Sequence, residues 1–214
     1  MKNSISTSFM MGFLKYFSLF IFLFGPVFSL AQTGFKDELG REISKEYFEQ
    51  QIIEGPYFGI PDGEGGKMLV HRMPVGLLDN PEIFFEKTAN SDGFREGKAL
   101  IVIYYPGKDE CNSTGLGNNA STFQKEHQTL LKWAEKFGAS EPVYIYSDPS
   151  GLEKYGGLIP WQKDPDRIFQ NQFFKYPYPC GSFVVIHPNG SFRGILGEYP
   201  LSQINVALKK LSKN

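Results

Sequence analysis

The sequence predicts an α/β protein built on one mixed sheet, with an α+β segment ahead of it. Three observations carry this reading. The run Ala99-Leu100-Ile101-Val102-Ile103-Tyr104-Tyr105 is apolar throughout, as a strand buried on both faces is. A helical pattern separates it from a second such run, Pro142-Val143-Tyr144-Ile145-Tyr146, so the two strands need a crossover and should lie parallel. Finally, Phe183–His187 and Ser191–Leu196 flank Asn189-Gly190, a two-residue turn signal that makes its strands antiparallel.

The chain has 214 residues. Its first 31 read as a signal peptide rather than as structure. Lys2 and Lys15 supply positive charge, and Tyr16–Leu30 is nearly all apolar. Ser29-Leu30-Ala31 puts small residues where a signal peptidase reads, so cleavage before Gln32 and export to a periplasmic or extracellular space are expected. The apolar run is shorter than the ~20 residues a spanning helix needs, and Gly25-Pro26 interrupts it, so no stable membrane insertion is expected after cleavage. Removing residues 1–31 takes away two lysines and no acid, which leaves a net charge of about −3. That surface offers no basic footprint for nucleic acid. No cofactor signature is present in the sequence.

Residues 32–97 form the N-terminal extension, a mix of short helices and a hairpin. Ser44 caps a helix through Gln51. Tyr57–Ile60 and Met68–His71 flank the glycine-rich loop Pro61–Gly66 and read as a hairpin. Asp79 or Asn80, with Pro81 in the first turn, opens a second short helix through Phe85.

Residues 98–214 carry the clearer pattern. After the first strand, Ser121 and Gln124 make a capping box. Phe123, His127, Leu130, Leu131, Ala134 and Phe137 then mark one helix face, which Gly138 ends. Asp164-Pro165 opens another helix that ends at Phe173-Phe174, and Pro200 opens a last one with Leu201, Ile204, Leu208 and Leu211 on one side. The three histidines, His71, His127 and His187, show no metal-ligand spacing with each other or with the cysteines, so no metal site is expected; His127 falls on the apolar helix face and reads as a packed histidine. Asn112-Ser113-Thr114, Asn119-Ala120-Ser121 and Asn189-Gly190-Ser191 match glycosylation acceptors, but turn and cap duties explain them equally.

This order, a βαβ-α-ββα core with a mixed sheet, resembles the thioredoxin-like superfamily, in particular its extracytoplasmic branch related to TlpA and the peroxiredoxins. The resemblance implies a thioredoxin-like domain over residues 98–214. It also implies that Cys111, after the first strand, and Cys180, before the third, face each other across a peptide-binding site. Tyr176-Pro177-Tyr178-Pro179 resembles the stretch where such proteins keep a cis proline, which implies a cis Tyr178–Pro179 peptide, with Pro179 and Tyr178 shaping the binding wall. The Cys-x-x-Cys of thioredoxins is missing. Thr114 stands where the second cysteine would be, cannot close a local disulfide, and by the resemblance is expected as a binding residue with Pro179 and Tyr178. The peroxiredoxin pattern is also unmet: Pro106 and Cys111 are five residues apart rather than seven, with no Thr or Ser between.

Two readings of the cysteines remain open. In one, Cys111 and Cys180 are catalytic in thiol–disulfide exchange with protein or peptide thiols and disulfides. In the other, the domain is a non-catalytic binding or assembly module, and a Cys111–Cys180 disulfide is a structural staple. Closing a loop between cysteines 69 positions apart would stabilise the fold by roughly 4 kcal/mol in the chain-entropy account.

Overall fold

The computed structural model describes residues 34–109, 112, 120–176 and 178–213. Among the described residues, no helix is long and apolar enough to cross a membrane.

The chain begins with a small three-stranded sheet. Strand β1 (Phe35–Lys36) runs parallel to β3 (Lys67–His71), which pairs antiparallel with β2 (Tyr57–Pro61). Helix α1 (Lys45–Glu54) precedes this hairpin, and the Ser44 hydroxyl accepts a hydrogen bond from the Tyr47 N–H, as an N-cap should. Phe48 packs on Phe35 and reaches Gly59, where a Cβ would come within 2.5 Å of its ring. That approach is why β2 carries a glycine mid-strand.

A six-stranded sheet forms the body, in the order β4-β9-β8-β5-β6-β7. Its members are β4 (Val75–Leu77), β5 (Leu100–Tyr105), β6 (Val143–Tyr146), β7 (Trp161–Lys163), β8 (Ser182–Ile186) and β9 (Ser191–Ile195). As expected from the crossover, β5 and β6 are parallel neighbours, and β8 and β9 form an antiparallel hairpin around Asn189-Gly190. Strand β8 lies antiparallel against β5, with Ser182 opposite Tyr104.

Two strands extend what the sequence suggests. β7 adds parallel to β6, and β4, which precedes residue 98, adds antiparallel to β9. The early segment is therefore stitched to the body. Arg72 strengthens the join: its guanidinium stacks on Phe58 and donates to the Glu198 carbonyl. Short helices α2 (Glu82–Glu86) and α3 (Ser91–Arg95) then lead into β5, burying Phe84 and Phe85.

Strand alternation divides the core between the two sheet faces. Leu100, Val102 and Tyr104 point to one side with Phe84, Phe85, Phe169, Phe173 and Phe174. Ile101 points to the other, under α4 (Ala120–Phe137) and α6 (Ser202–Leu211). Phe123, Leu130 and Ala134 are buried on α4, and Ile204, Leu208 and Leu211 on α6, in agreement with the helical periodicity of the sequence.

The helix expected after Asp164-Pro165 is broken. A 3₁₀ turn (Pro165–Arg167) holds Asp166 and Arg167 at positive φ, and α5 (Ile168–Gln172) follows. The buried Asp164 carboxylate caps α5 through the N–H groups of Phe169 and Gln170. Burial nevertheless raises its pKa, against the lowering effect of those bonds.

Candidate functional site

The site lies at the carboxyl ends of β5 and β6, where the chain leaves the sheet and β8 enters it. Cys180 stands two residues before β8. It has φ +67°, one of three positive-φ non-glycine residues among those described. The Gly181 N–H donates to the Pro179 carbonyl at 2.9 Å and closes a tight turn around Cys180. Such a turn at a residue with a Cβ is strained, and the surroundings must hold it.

Asp109 and Asn112 do so. The Cys180 N–H donates to Asp109 Oδ2 at 2.9 Å, and Asn112 Nδ2 donates to the Cys180 carbonyl at 3.3 Å. The two residues also exchange bonds. The Asn112 N–H donates to Asp109 Oδ1 at 2.7 Å, and the Asp109 N–H donates to Asn112 Oδ1 at 3.1 Å. This reciprocal pattern is that of a helix capping box, and Asn112 is helical. A second bond from Asn112 Nδ2 reaches the Gly107 carbonyl at 2.8 Å. Asn112 is therefore the hub that ties the end of β5 to the entrance of β8.

A third segment closes the corner. The Tyr105 hydroxyl donates to the Ser150 carbonyl at 2.8 Å, and burial pushes its pKa up to about 12. Gly151 makes this approach possible, because a Cβ there would stand 2.5 Å from the Tyr105 hydroxyl. Lys154 places its ammonium on the Asn112 carbonyl at 3.1 Å and over the rings of Tyr105 and Tyr155. Burial lowers its pKa, with Asp109 and Glu153 acting in the opposite direction.

Behind this corner, a cavity of about 360 Å³ lies between the sheet, α4 and the start of α6. Cys180 and Asn112 form part of its lining, with Glu126 and His127 from α4 and the aromatic residues Tyr144, Tyr155 and Trp161. His127 Nδ1 lies 2.8 Å from the Tyr144 hydroxyl, so this histidine is held within the fold. Burial raises the pKa of Glu126, and also those of Tyr144, Tyr155 and Tyr199.

The residues singled out in the sequence fall as follows. Cys180 is at the corner. Pro179 is exposed beside it, while Tyr178 is buried in the core of the opposite sheet face, edge-on to Tyr176. Cys111 and Thr114 lie outside the described residues. The expected cis Tyr178–Pro179 peptide is not found: no peptide bond among the described residues is cis. The chain reverses instead through the positive-φ turn at Cys180, which sends it into β8 without a cis bond. The organising role of Asn112 and Asp109 is not among the expectations drawn from the sequence. The Asp-x-x-Asn spacing of a reciprocal cap was the available signal.

The topology decides the fold. The four central strands run β9-β8-β5-β6, with β6 parallel to β5 across α4, β8 antiparallel to β5, and α6 following the β8–β9 hairpin.

The fold is thioredoxin-like.

No protein-family model matches the sequence, and no curated protein matches it. Solved structures similar to this thioredoxin-like chain include the bacterioferritin comigratory protein of Xanthomonas campestris, studied for alkyl peroxide reduction. It is 17% identical, covers 54% of this chain and 81% of its own, and has a TM-score of 0.36. A secreted Mycobacterium tuberculosis disulfide oxidoreductase, homologous to E. coli DsbE, is 12% identical over 53% of this chain and 82% of its own, with a TM-score of 0.32. The dsbF protein of MTB, solved in mixed oxidized and reduced forms, is 13% identical over 54% of this chain and 81% of its own, with a TM-score of 0.32.

Proposed function

We propose that this protein is an exported thioredoxin-like thiol–disulfide exchange protein that works through Cys111 and Cys180. The observation that carries the reading is the corner itself. Asn112, the residue next to Cys111 in the chain, bonds the backbone of Cys180, so the sequence neighbours of the two cysteines meet at one point. The chain has two cysteines in all. Thioredoxin-like topology puts this corner at the carboxyl ends of the central strands, where an exposed partner can reach it.

In the proposed cycle the Cys111 thiolate attacks a partner disulfide. A Cys111–partner disulfide forms, and one partner sulfur leaves as thiolate. The Cys180 thiolate then attacks the Cys111 sulfur and expels the second partner sulfur. The partner has gained two electrons and two protons, and Cys111 and Cys180 end as a disulfide. Lys154 favours negative charge at the corner and Asp109 opposes it. Pro179, exposed beside Cys180, is positioned to meet an extended peptide.

The test is trapping. Cys180→Ser should accumulate a stable mixed disulfide with a peptide-disulfide substrate, visible by mass spectrometry, while Cys111→Ser should trap none. If neither variant traps and the parent reduces no disulfide, the pair is a staple and the module is non-catalytic. Export has its own readout: the N-terminus of the secreted protein should be Gln32, and an intact Met1 in a membrane fraction would sink that part of the proposal.

A further inference from the structure

The cavity beneath α4 lies directly behind the thiol corner, and Cys180 and Gly181 form part of its wall. Two side chains of opposite charge stand in the same lining, Glu126 on α4 and Lys154 in the segment after β6. Both are partly buried. Burial pushes the Glu126 carboxyl up, and no hydrogen bond or ion pair reaches it among the described residues. Burial pulls the Lys154 ammonium down, and the carboxylates that counter it are Asp109 and Glu153, not Glu126. Its bond to the Asn112 carbonyl leaves further N–H donors on the ammonium. The two cavity charges therefore do not answer each other. A desolvated charge is costly, and a ligand that brings an opposite charge to each would offset both costs.

The remaining lining sets the size and the charge of what fits. About 360 Å³ falls within the range of small-molecule sites, roughly 300–1,000 Å³. The rings of Tyr144 and Tyr155 pack on Trp161 at centroid distances of 5.3 and 5.1 Å, and such walls strengthen charge contacts by keeping water away. A dianion would meet like charge at Glu126 and again at Glu198 on the exposed rim. A dication would meet like charge at Lys154. A small molecule carrying both signs avoids both penalties.

We propose that the disulfide reduced at this corner is that of a small amino-acid thiol, with its sulfurs at the cysteine wall, a carboxylate on Lys154 and an ammonium on Glu126. The inference rests on the proposed thiol exchange and names its substrate class. In the reaction the Cys111 and Cys180 thiols become a disulfide. The small disulfide gains their two electrons and two protons and leaves as two free thiols.

The probe is cystine, reduced in a single turnover by the dithiol form of the mature protein. Three analogues dissect it: cystamine lacks the carboxylates, dithiodipropionate lacks the amines, and hydroxyethyl disulfide lacks both. Each rate is divided by the rate of the same disulfide with dithiothreitol, which cancels intrinsic reactivity. On that scale cystine should exceed each analogue by about tenfold, as expected for a charge-assisted bond. Glu126→Gln should erase the preference over dithiodipropionate and keep that over cystamine. Lys154→Met should do the reverse. Because these are ratios within one variant, a change in thiol reactivity does not imitate them. Should a variant fail to fold, the ratios of the parent protein decide alone. Reduction of all four disulfides with ratios near one, or ratios that neither variant changes, would overturn the substrate assignment and leave thiol exchange standing. Reduction of none of the four would overturn both.

Discussion

The two faces of the central sheet solve the same packing problem differently. Both receive alternate residues of β5. On one face, Tyr104 stacks on Phe174 at 4.1 Å, and Phe84 meets Phe169 and Phe173 at 5.4 and 5.3 Å. Every large ring there has an aromatic or aliphatic partner, and polar atoms are confined to the margin, as at the Asp164 cap. The other face gathers Tyr105, Tyr144, Tyr155 and Trp161 and leaves a cavity among them, with Glu126 in its wall. A closed core on one side supports an unsatisfied, polar, open region on the other. The difference shows that stability and chemistry have been divided between opposite sides of one strand.

Breaking the closed face should have the largest effect. Phe85 is fully buried against Phe94. Phe85→Ala should cost about 3–5 kcal/mol by urea denaturation, since a large void would open in a filled core. Leu130, buried but lining the cavity, provides the contrast. Leu130→Ala should fall near the low end of the usual range, about 2 kcal/mol, because fewer contacts surround it. Equal losses at the two positions would contradict the division between faces.

A smaller effect of opposite sign is expected at Glu126. Burial raises its pKa, so the folded state holds its proton more tightly than the unfolded state. Between the usual glutamate range and that raised value, stability must therefore fall as pH increases. Glu126→Gln removes this loss. The variant should melt above the parent at neutral pH, and the two should converge in acid, below the usual glutamate range. A variant less stable than the parent at neutral pH would mean that the carboxylate has a partner in the fold after all.

Much of this architecture was legible in the sequence, for identifiable reasons. Strands β5 and β6 are continuous apolar runs, and Asn189-Gly190 announces its hairpin. Helix α4 shows its buried face in the spacing of Phe123, Leu130 and Ala134. The edge strands β4 and β7 have three residues each, too few for any period to register, and all of β4 is solvent-exposed. The break after Pro165 depends on two successive positive-φ residues, Asp166 and Arg167, neither of which is a glycine.

The site was legible only in outline. Cys180 could be placed at the entrance to a strand because the apolar run after it is plain. The bonds that hold it arise from Asp109 and Asn112, about 70 positions away, and no local pattern reveals a tertiary contact of that kind. The cavity is less visible still. It is the space left when α4, α6 and three strands converge, and Glu126 looks in sequence like an ordinary helix-surface acid. Tyr178-Pro179 carries the sequence signal of a cis proline, but its peptide is trans and the turn lies at Cys180. The backbone reverses one residue later.

The reduction potential of the cysteine pair tests the central claim most directly. It can be measured by equilibrating the mature protein with glutathione buffers and counting free thiols. Thiol–disulfide exchange predicts a value in the range of exchange proteins, roughly −120 to −270 mV. A value below about −300 mV would mark a structural staple and contradict the proposed function.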